Sequence, residues 1–199
     1  MKLILASNSP RRRILLSLIG IPFEVVAPRF SELSKERGVA LTNAVGKALE
    51  VSSKNDGFVL GADTIVVLGD VVFGKPETKS RARSMLRLLS GEKHCVLTGW
   101  AVVRNEKVLR SGVTKTEVGF KTLTPSEIDA YIESGEWEKK AGGYAIQGLG
   151  GGFVSSLSGS YSNVAGLPLE DLCVVFEQLG FVFKPDGIPA FSTSVQQGI

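Results

Sequence analysis

The first twenty residues constrain the fold more than any other part of the sequence. Leu3–Ala6 is a short apolar run, which predicts a buried strand. Ser9 and Pro10 then supply the residue types preferred at a helix N-cap and at the first helical position. Gly20 is a typical helix stop, so we predict that this helix ends at about Ile19. A strand that leads directly into a helix is typical of α/β folds.

The rest of the sequence continues this alternation of strands and helices. The predicted strands are Phe23–Ala27, Phe58–Ala62, Ile65–Leu68, Val71–Phe73, 95–104 and 107–122, with Tyr144–Ile146 and Phe153–Leu157 inside a glycine-rich stretch. The predicted helices are one capped by Thr42, one over Thr78–Leu89, one that begins with a capping box at Thr124, and one over Leu169–Leu179. We therefore expect an α/β fold class, with an elongated mixed β-sheet, flanking helices and two lobes around a central cleft. We also expect one domain over residues 1–184, an irregular loop over 28–38 and a poorly ordered tail over 185–199.

Composition and cysteine usage exclude several classes of protein. No apolar run approaches the roughly 18 residues that a membrane-spanning helix needs. The apolar run near the N-terminus is followed by arginines rather than preceded by them, which differs from a secretory signal. The two cysteines, Cys95 and Cys173, have neither CxxC nor metal-ligand spacing. We therefore expect a cytoplasmic protein with no membrane partner.

The distribution of charge is more informative than the net charge of +3. Residues 1–13 carry four basic side chains and no acidic one, whereas the other 186 residues carry 19 basic and 20 acidic side chains. A nucleic-acid-binding protein of this size more often spreads basic residues over a face with interleaved aromatic residues. A compact basic cluster suits a small polyanion better, so we expect no nucleic-acid partner. A basic turn exposed to solvent explains the charge alone equally well.

The single histidine, His94, limits the mechanisms that are open to the chain. A Ser–His–Asp triad or a multi-histidine zinc site would depend on this one residue. His94 precedes Cys95 in a strand-like run, where neighbouring side chains point to opposite faces, so the two cannot form a dyad. We expect His94 to lie at the surface or at a strand edge, without a catalytic role.

Three arginines in the first turn of the first helix form the first candidate site. Arg11, Arg12 and Arg13 oppose the helix dipole, which favours acidic residues at this end. A bound phosphate would relieve the conflict, because backbone N–H groups, a serine hydroxyl and the guanidinium groups would converge on it. The alternative is again a solvated basic turn.

Three further segments carry polar residues where a ligand could bind. Asp63 follows an apolar run, which predicts it at the carboxyl end of a strand, where α/β proteins often bind ligands. Lys75 lies between a glycine and a proline and could hold a phosphate. Segment 139–148 combines glycines with Tyr144 and Gln147, which could contact a flat heterocycle. Each segment also has an ordinary alternative. Asp63 could lie in a simple turn, Lys75 could be a turn lysine, and segment 139–148 could be a glycine-rich connection with Tyr144 in the core.

Five sequence runs, taken in order and spacing, resemble one family. LASNSPRR, GADTIV, GKP, KAGGYAIQG and GSYSNVAGLPL resemble, over roughly residues 2–180, the Maf family of nucleoside triphosphate pyrophosphatases. The resemblance implies a fold similar to inosine triphosphate pyrophosphatases, a homodimer, and a divalent cation, usually Mg²⁺ or otherwise one such as Mn²⁺. The fingerprints GxxxxGK[ST] and GxGxxG after a buried strand are missing, so neither a P-loop nor a Rossmann phosphate site is expected.

The resemblance also implies the residues of the site. The family pattern falls on Ser7, Arg11, Arg12, Glu32, Lys47, Asp63, Lys75 and Gln147. It implies that Asp63, Glu32 and Lys75 are catalytic. It further implies that Glu32 and Asp63 hold the metal, and that Lys75 and the remaining residues bind the substrate and its phosphates.

One part of the resemblance concerns the base of the nucleotide. The run Tyr144–Gly148 resembles the branch of the family that acts on dTTP and UTP. Lys139 and Trp137 depart from the family pattern near this run, which bears on the choice of base more than on the reaction. The resemblance thus implies hydrolysis of dTTP and UTP between the α and β phosphates, which yields the monophosphate and pyrophosphate. Two alternatives remain open: release of the γ phosphate, and a nucleotide-binding regulator, for example of cell division, without significant turnover.

Overall fold

The structure, a computed structural model, describes residues 1–33 and 38–183, which form a mixed α/β fold. The strands are β1 (Leu3–Ala6), β2 (Phe23–Val26), β3 (Phe58–Leu68), β4 (Val71–Phe73), β5 (Lys93–Arg104), β6 (Lys107–Phe120) and β7 (Val154–Ser158). The α-helices are α1 (Pro10–Ser17), α2 (Val39–Ser52), α3 (Lys79–Leu89), α4 (Pro125–Glu133), α5 (Tyr161–Ala165) and α6 (Leu169–Gln178), and two 3₁₀ turns cover Ala141–Gly143 and Leu149–Phe153. The expected tail over 185–199, the end of the expected domain at 184 and part of the expected 28–38 loop lie outside the described residues.

The strands form one sheet in the order β2-β1-β3-β5-β6-β7, and β4 pairs with β3. β1 runs parallel to β2 and β3, whereas the other pairs are antiparallel. On one edge of β3, β1 pairs as far as Gly61 and β4 begins to pair at Val66. No strand within the described ranges pairs with that edge between these two positions, which leaves a gap in the sheet beside residues 62–65.

The central strand β3 differs from the sequence prediction. The sequence predicts two strands interrupted at Asp63 and Thr64, but a single strand continues through both residues. β5 pairs with β3 without a break from Val59 to Val67, and this antiparallel partner keeps the polar residues in the strand. The prediction that Asp63 lies at the carboxyl end of its own strand is therefore wrong. It lies just past the point where the parallel neighbour β1 ends, opposite Gly61.

The two faces of the sheet carry different helices. On one face, α1 and α6 cover an apolar cluster that includes Leu3, Leu5, Leu16, Leu60, Trp100, Leu172 and Phe176. Further along the same face, α3 and α4 cover a second cluster that includes Val66, Met85, Leu86, Val118, Phe120, Ile128 and Ile132. The opposite face packs against α2 through Ile4, Ala6, Ala48, Val51, Val59 and Val103. Two apolar clusters thus lie side by side along one face of the sheet.

Two glycines allow α2 to approach the sheet closely. A Cβ atom at Gly61 would collide with the backbone of Ala44, and one at Gly99 would collide with the backbone of Ala40. Gly61 and Asp63 point to the same face of β3, because alternate residues of a strand share a face. The close approach of the helix at Gly61 therefore brings α2 side chains within reach of Asp63.

Some helix ends follow the sequence prediction and others do not. The Ser9 hydroxyl caps α1, and Thr124 and Glu127 form the predicted capping box of α4. Thr42, predicted as a cap, lies inside α2, because this helix already begins at Val39. Among the described residues, no helix is long and apolar enough to cross a membrane.

The glycine-rich stretch and the histidine also differ from the prediction. Tyr144–Ile146, predicted as a strand, follows a 3₁₀ turn in which Gly142 and Gly143 have φ angles of 69° and 73°, which a strand does not accommodate. His94 is 1% exposed rather than at the surface or at a strand edge. It is buried because β5 lies inside the sheet between β3 and β6, and the ring of Phe120 packs edge-on against it.

Candidate active site

A cavity of about 720 Å³ opens at the gap in the sheet beside β3. One set of lining residues, here called the charged wall, comprises Ser7, Arg11, Arg12, Glu32, Lys47, Asp63, Thr64 and Lys75. A second set, the glycine-rich wall, comes from segment 136–148 and includes Glu136, Glu138, Lys139, Lys140, Tyr144, Gln147 and Gly148. Among the described residues, six basic and four acidic side chains line the cavity. Its size suits a small molecule, and its charge suits an anion.

The turn before α1 places two arginines at the cavity. The Ser9 hydroxyl accepts a hydrogen bond from the backbone N–H of Arg12 at 3.5 Å, and the Ser7 hydroxyl accepts one from the backbone N–H of Ser9 at 3.1 Å. Ser7 is buried directly after β1, so it helps to fix the turn that starts the helix. Arg13 is exposed and outside the cavity lining, so the cavity receives two of the three predicted arginines.

Neutral acceptors hold both guanidinium groups in place. Arg12 donates to the carbonyl oxygen of Gly166 at 2.8 Å and to the hydroxyl of Thr64 at 3.1 Å. Arg11 donates to the carbonyl oxygen of Ala165 at 3.3 Å. Burial, and then the charge of Arg12, lower the pKa of Arg11, and burial also lowers the pKa of Arg12 against the opposing effect of nearby carboxylates. Arginine stays charged at neutral pH even so, and carbonyl acceptors leave that charge available to an anion.

A buried lysine joins the two carboxylates of the charged wall. The ammonium group of Lys47 lies 2.8 Å from Oδ1 of Asp63 and 2.7 Å from Oε1 of Glu32. Lys75, which is exposed, lies 2.8 Å from Oε2 of Glu32. α2 supplies Lys47, β3 supplies Asp63, and the segment between β2 and α2 supplies Glu32. The four side chains therefore form a continuous chain of ion pairs.

These ion pairs determine the protonation state of Glu32. Burial acts to raise its pKa, but the hydrogen bonds and charges of Lys47 and Lys75 outweigh burial and lower the pKa to about 2. Glu32 is therefore ionised at neutral pH. Because it occupies both lysines, the phosphates of a ligand would compete with Glu32 for them.

The two carboxylates also decide which metal the cavity can hold. In residues 1–33 and 38–183 there is no cluster of three or more His, Cys, Asp and Glu side chains that could hold a metal. Glu32 and Asp63 nevertheless contact the same ammonium group, so two carboxylates lie near each other at the cavity. Mg²⁺ is usually bound by one or two carboxylates together with water and substrate phosphates. The donor set therefore fits Mg²⁺, or a similar cation such as Mn²⁺, that is held jointly with phosphates.

One carboxylate organises the glycine-rich wall. Oε1 of Glu136 accepts hydrogen bonds from the hydroxyl of Tyr131 and from the backbone N–H of Gly150, both at 3.0 Å. Oε2 accepts one from the backbone N–H of Leu149 at 2.9 Å, and the Tyr131 hydroxyl accepts one from the backbone N–H of Ala145 at 3.2 Å. Burial and the charge of Glu136 raise the pKa of Tyr131, which keeps the hydroxyl protonated. Glu136 therefore ties the backbone of segment 145–150 to α4.

Tyr144 and Gln147 occupy different positions in the glycine-rich wall. Gln147 is exposed at the cavity, whereas Tyr144 is buried and its hydroxyl lies 2.8 Å from Nε2 of His94. Burial lowers the pKa of His94 to about 4, so the imidazole is neutral at neutral pH. Tyr144 thus contributes ring surface to the cavity while its hydroxyl is engaged with a neutral partner.

The eight side chains singled out in the sequence all line this one cavity. They are Ser7, Arg11, Arg12, Glu32, Lys47, Asp63, Lys75 and Gln147. Their individual roles stay predictions. Two residues that support the site were not predicted from the sequence: Glu136, which lines the cavity, and Asn43, which contacts Asp63 from outside the cavity lining. Asn43 stands four residues before Lys47 on α2, a spacing that puts both on one helix face and could have indicated it, whereas nothing in the sequence separates Glu136 from nearby exposed acids.

Comparisons with known proteins agree on a family and a fold. The family model described as "Maf-like protein" matches residues 2–179. A dTTP/UTP pyrophosphatase of Bacillus anthracis is 45% identical over 176 residues, which cover 86% of this chain and 92% of the relative. The dTTP/UTP pyrophosphatase of Caulobacter vibrioides is 42% identical over 185 residues, which cover 90% and 96%. A solved structure of a HAM1 protein from Coxiella burnetii has a TM-score of 0.55 and 16% identity, covering 89% of this chain and 99% of that chain, and this likeness concerns the fold alone.

Proposed function

The chain belongs to the Maf-like protein family, and on that basis we propose that it is a hydrolase that converts dTTP and UTP to their monophosphates and pyrophosphate. The observation that carries the proposal is the charged wall, where two arginines fixed by carbonyl groups stand beside a chain of two lysines and two carboxylates. Such a set combines cations for a polyphosphate with carboxylates that can hold a metal and accept a proton.

The basic side chains of the charged wall bind the triphosphate. A triphosphate carries about four negative charges, which must be offset before water can approach the α phosphorus. Arg11 and Arg12 stand at the N-terminal end of α1, where the helix dipole also favours phosphate. Lys47 and Lys75 stabilise the leaving pyrophosphate once the phosphates displace Glu32 from them.

The carboxylates of the charged wall serve the attacking water. Asp63 is buried at the cavity and accepts the proton of that water. Its two oxygens accept hydrogen bonds from Lys47 and Asn43. A divalent cation such as Mg²⁺ or Mn²⁺, held by Glu32 and Asp63 together with the phosphates, would lower the pKa of bound water and offset phosphate charge. Ser7 supports this arrangement by fixing the turn that leads into the two arginines.

The glycine-rich wall selects the base. The Gln147 side chain is exposed at the cavity and carries both a donor and an acceptor for a base edge. Tyr144 supplies an apolar ring surface. A base that mismatches Gln147 would cover its amide and leave those polar groups unpaired, which is the kind of contact that gives large discrimination. We therefore assign dTTP and UTP, rather than purine triphosphates, as the preferred substrates.

The protein further acts as a cytoplasmic homodimer on free nucleotides, with no nucleic-acid or membrane partner. Family membership supports the homodimer, and the local character of the basic cluster supports a small polyanionic substrate. Light scattering after size-exclusion chromatography tests the dimer, because the expected mass is about twice the chain mass of 21.2 kDa.

A panel of nucleoside triphosphates with Mg²⁺ tests the reaction. Phosphate that malachite green detects only after inorganic pyrophosphatase is added indicates cleavage between the α and β phosphates. We expect this result for dTTP and UTP, whereas phosphate detected directly would indicate release of the γ phosphate. Faster turnover of GTP or 7-methyl-GTP than of UTP would contradict the assigned base preference. Triphosphate binding without release of pyrophosphate at any Mg²⁺ or Mn²⁺ concentration would instead indicate a nucleotide-binding regulator.

A further inference from the structure

Asn43 is a polar residue with only 1% of its surface exposed, yet it lies beside the charged groups of the cavity. It is one helical turn before Lys47 on α2, so both side chains leave the same face of the helix. Nδ2 of Asn43 donates to Oδ2 of Asp63 at 2.9 Å, and Lys47 donates to Oδ1 at 2.8 Å. Donors from a single helix face therefore hold both oxygens of the Asp63 carboxylate.

The remaining hydrogen bonds of Asn43 hold the segment that carries Glu32. Nδ2 also donates to the carbonyl oxygen of Leu33 at 3.0 Å, and Oδ1 accepts from the backbone N–H of Leu33 at 2.8 Å. A carboxylate can only accept hydrogen bonds, so the amide of Asn43 must turn its nitrogen towards Asp63. That orientation also satisfies both backbone groups of Leu33, so the side chain has a single favourable arrangement.

The same helix face contacts this segment at two further points. The ring of Phe30 lies against Gly46, where a Cβ atom would collide with it. Glu50 accepts a hydrogen bond from the backbone N–H of Arg29 at 3.0 Å. Residues 29–33 therefore lie along α2, and Asn43 is the point at which this packing meets Asp63.

We propose that Asn43 is a positioning residue for the reaction, whose side-chain amide, itself fixed by the backbone of Leu33, orients the Asp63 carboxylate. The inference rests on the proposed function and extends it to a residue that acts through Asp63. Lys47 is a flexible point charge that can turn towards bound phosphates, whereas the planar amide of Asn43 is a directional donor that keeps Asp63 in place. Supporting hydrogen bonds of this kind commonly contribute roughly 10- to 100-fold to activity.

Asn43→Leu tests the inference, because leucine has nearly the same shape but forms none of the three hydrogen bonds. With UTP and Mg²⁺ we expect kcat to fall by roughly 10- to 100-fold, while KM changes by less than about threefold. Asn55→Leu is the matched control, since Asn55 donates to the carbonyl oxygen of Val51 at the end of α2 and is outside the cavity lining. Its kcat should stay within about twofold of the wild-type value. Thermal melting shows whether each variant is folded at the assay temperature.

A double-mutant cycle with Asp63→Asn separates positioning from a general loss of structure. If Asn43 acts through Asp63, Asn43→Leu should cause less than about threefold further loss in the Asp63→Asn background. These slow rates are measured in single turnovers with enzyme in excess over UTP. Where Asn43→Leu does not fold, Asn43→Asp takes its place, since it keeps an acceptor for Leu33 but turns a carboxylate towards Asp63. It should lower kcat in the same way.

Three results would overturn the inference while leaving the proposed function intact. The first is a folded Asn43 variant with kcat within about twofold of the wild type. The second is a rise in KM at unchanged kcat, and the third is a pair of losses that multiply in the double variant. Wild-type protein that releases no pyrophosphate overturns the proposed function and the inference together, so the two failures are distinguishable.

Discussion

The two walls of the cavity differ in the kind of structure that holds them in place. The charged wall consists of side chains from α1, α2 and β3, together with Glu32 and Lys75, and these groups are held by ion pairs and by carbonyl acceptors. The glycine-rich wall has little regular structure, and the carboxylate of Glu136 accepts hydrogen bonds from the backbone N–H groups of Leu149 and Gly150, which follow the wall directly. The charged wall therefore draws most of its side chains from helices and the central strand, whereas the glycine-rich wall is a segment of turns that the Glu136 carboxylate helps to hold.

This difference matches the two parts of a nucleotide. All nucleoside triphosphates share the same phosphates, so rigid elements suit the charged wall, where positions must be kept within a fraction of an ångström. The base varies between nucleotides, and a segment of turns can change its lining without disturbing the sheet. We expect substitutions in the charged wall to change rate and phosphate binding, and substitutions in the glycine-rich wall to change the choice of base.

The largest effect should come from Asp63→Asn, which removes the proton acceptor from the charged wall while keeping its size. We expect kcat for UTP to fall on the order of 10³-fold, with a much smaller change in triphosphate affinity, because Arg11 and Arg12 still engage the phosphates. Steady-state kinetics and equilibrium binding measure the two quantities. Asp129→Asn is the control, since Asp129 is exposed and pairs with Arg83 at 2.8 Å away from the cavity lining. Near-normal pyrophosphate release by folded Asp63→Asn would return Asp63 to a structural role in β3.

A smaller loss should follow from Arg12→Ala, which removes a fixed cation from the charged wall. We expect kcat/KM to fall on the order of 10²-fold for every triphosphate alike, because the contact is to the shared phosphates. Arg13→Ala is a matched control from the neighbouring position, which is exposed and outside the cavity lining. If Arg12→Ala stayed within about twofold of the wild type, or affected one base only, the division between the walls would be wrong.

Glu136→Gln tests the glycine-rich wall directly. The amide keeps the shape of the carboxylate but has one acceptor oxygen for the donors of Tyr131, Leu149 and Gly150, so segment 145–150 should shift. We expect the ratio of kcat/KM for UTP to that for GTP to fall about tenfold, while kcat for UTP changes by less than about threefold. Glu133→Gln, at an exposed pair with Lys79, is the control. An equal loss for all bases would show that Glu136 serves the reaction rather than base selection.

The smallest expected effect is on the free energy of unfolding, and it comes from His94, the buried partner of Tyr144 in the glycine-rich wall. The pKa of His94 falls from 6.5 to about 4 on folding, so between these values the unfolded chain binds a proton that the folded protein does not. Acidification from about pH 7 to about pH 5 should therefore lower the free energy of unfolding by about 2 kcal/mol through this group. His94→Phe keeps a ring beside Phe120 and removes the titration.

Urea unfolding at both pH values measures this change. The chain has one histidine, so no second imidazole contributes over this interval. The variant should be less stable at neutral pH, because the Tyr144 hydroxyl loses its buried partner, but its stability should depend less on pH. An unchanged pH dependence would contradict the assigned pKa of His94.

Local sequence signals predicted the elements better than they predicted the sheet. Ser9, Pro10 and the capping box at Thr124 mark helix starts because each acts within a few residues of the chain. The polar residues Asp63 and Thr64 predict a strand end from local sequence, but pairing with β5, a distant segment, keeps them in the strand. The burial of His94 depends likewise on strand order, which no local pattern contains.

The residues that line the cavity were predicted from family resemblance more than from local chemistry. Motif matching brought residues as distant as Ser7 and Gln147 into one predicted site, and both line the cavity. Asn43 and Glu136 were not predicted from the sequence, because both act through hydrogen bonds to backbone groups and carboxylates that are remote in sequence. Side chains that support others are recognised only when the fold has brought their partners together.

The carbonyl groups that hold Arg11 and Arg12 have a consequence for turnover. Because these acceptors carry no charge, the two cations remain as attractive to inorganic pyrophosphate as to the nucleotide from which it comes. Added pyrophosphate should therefore compete with UTP for the charged wall and inhibit turnover. A catalyst of this kind would sustain its activity only where a second hydrolase keeps pyrophosphate scarce.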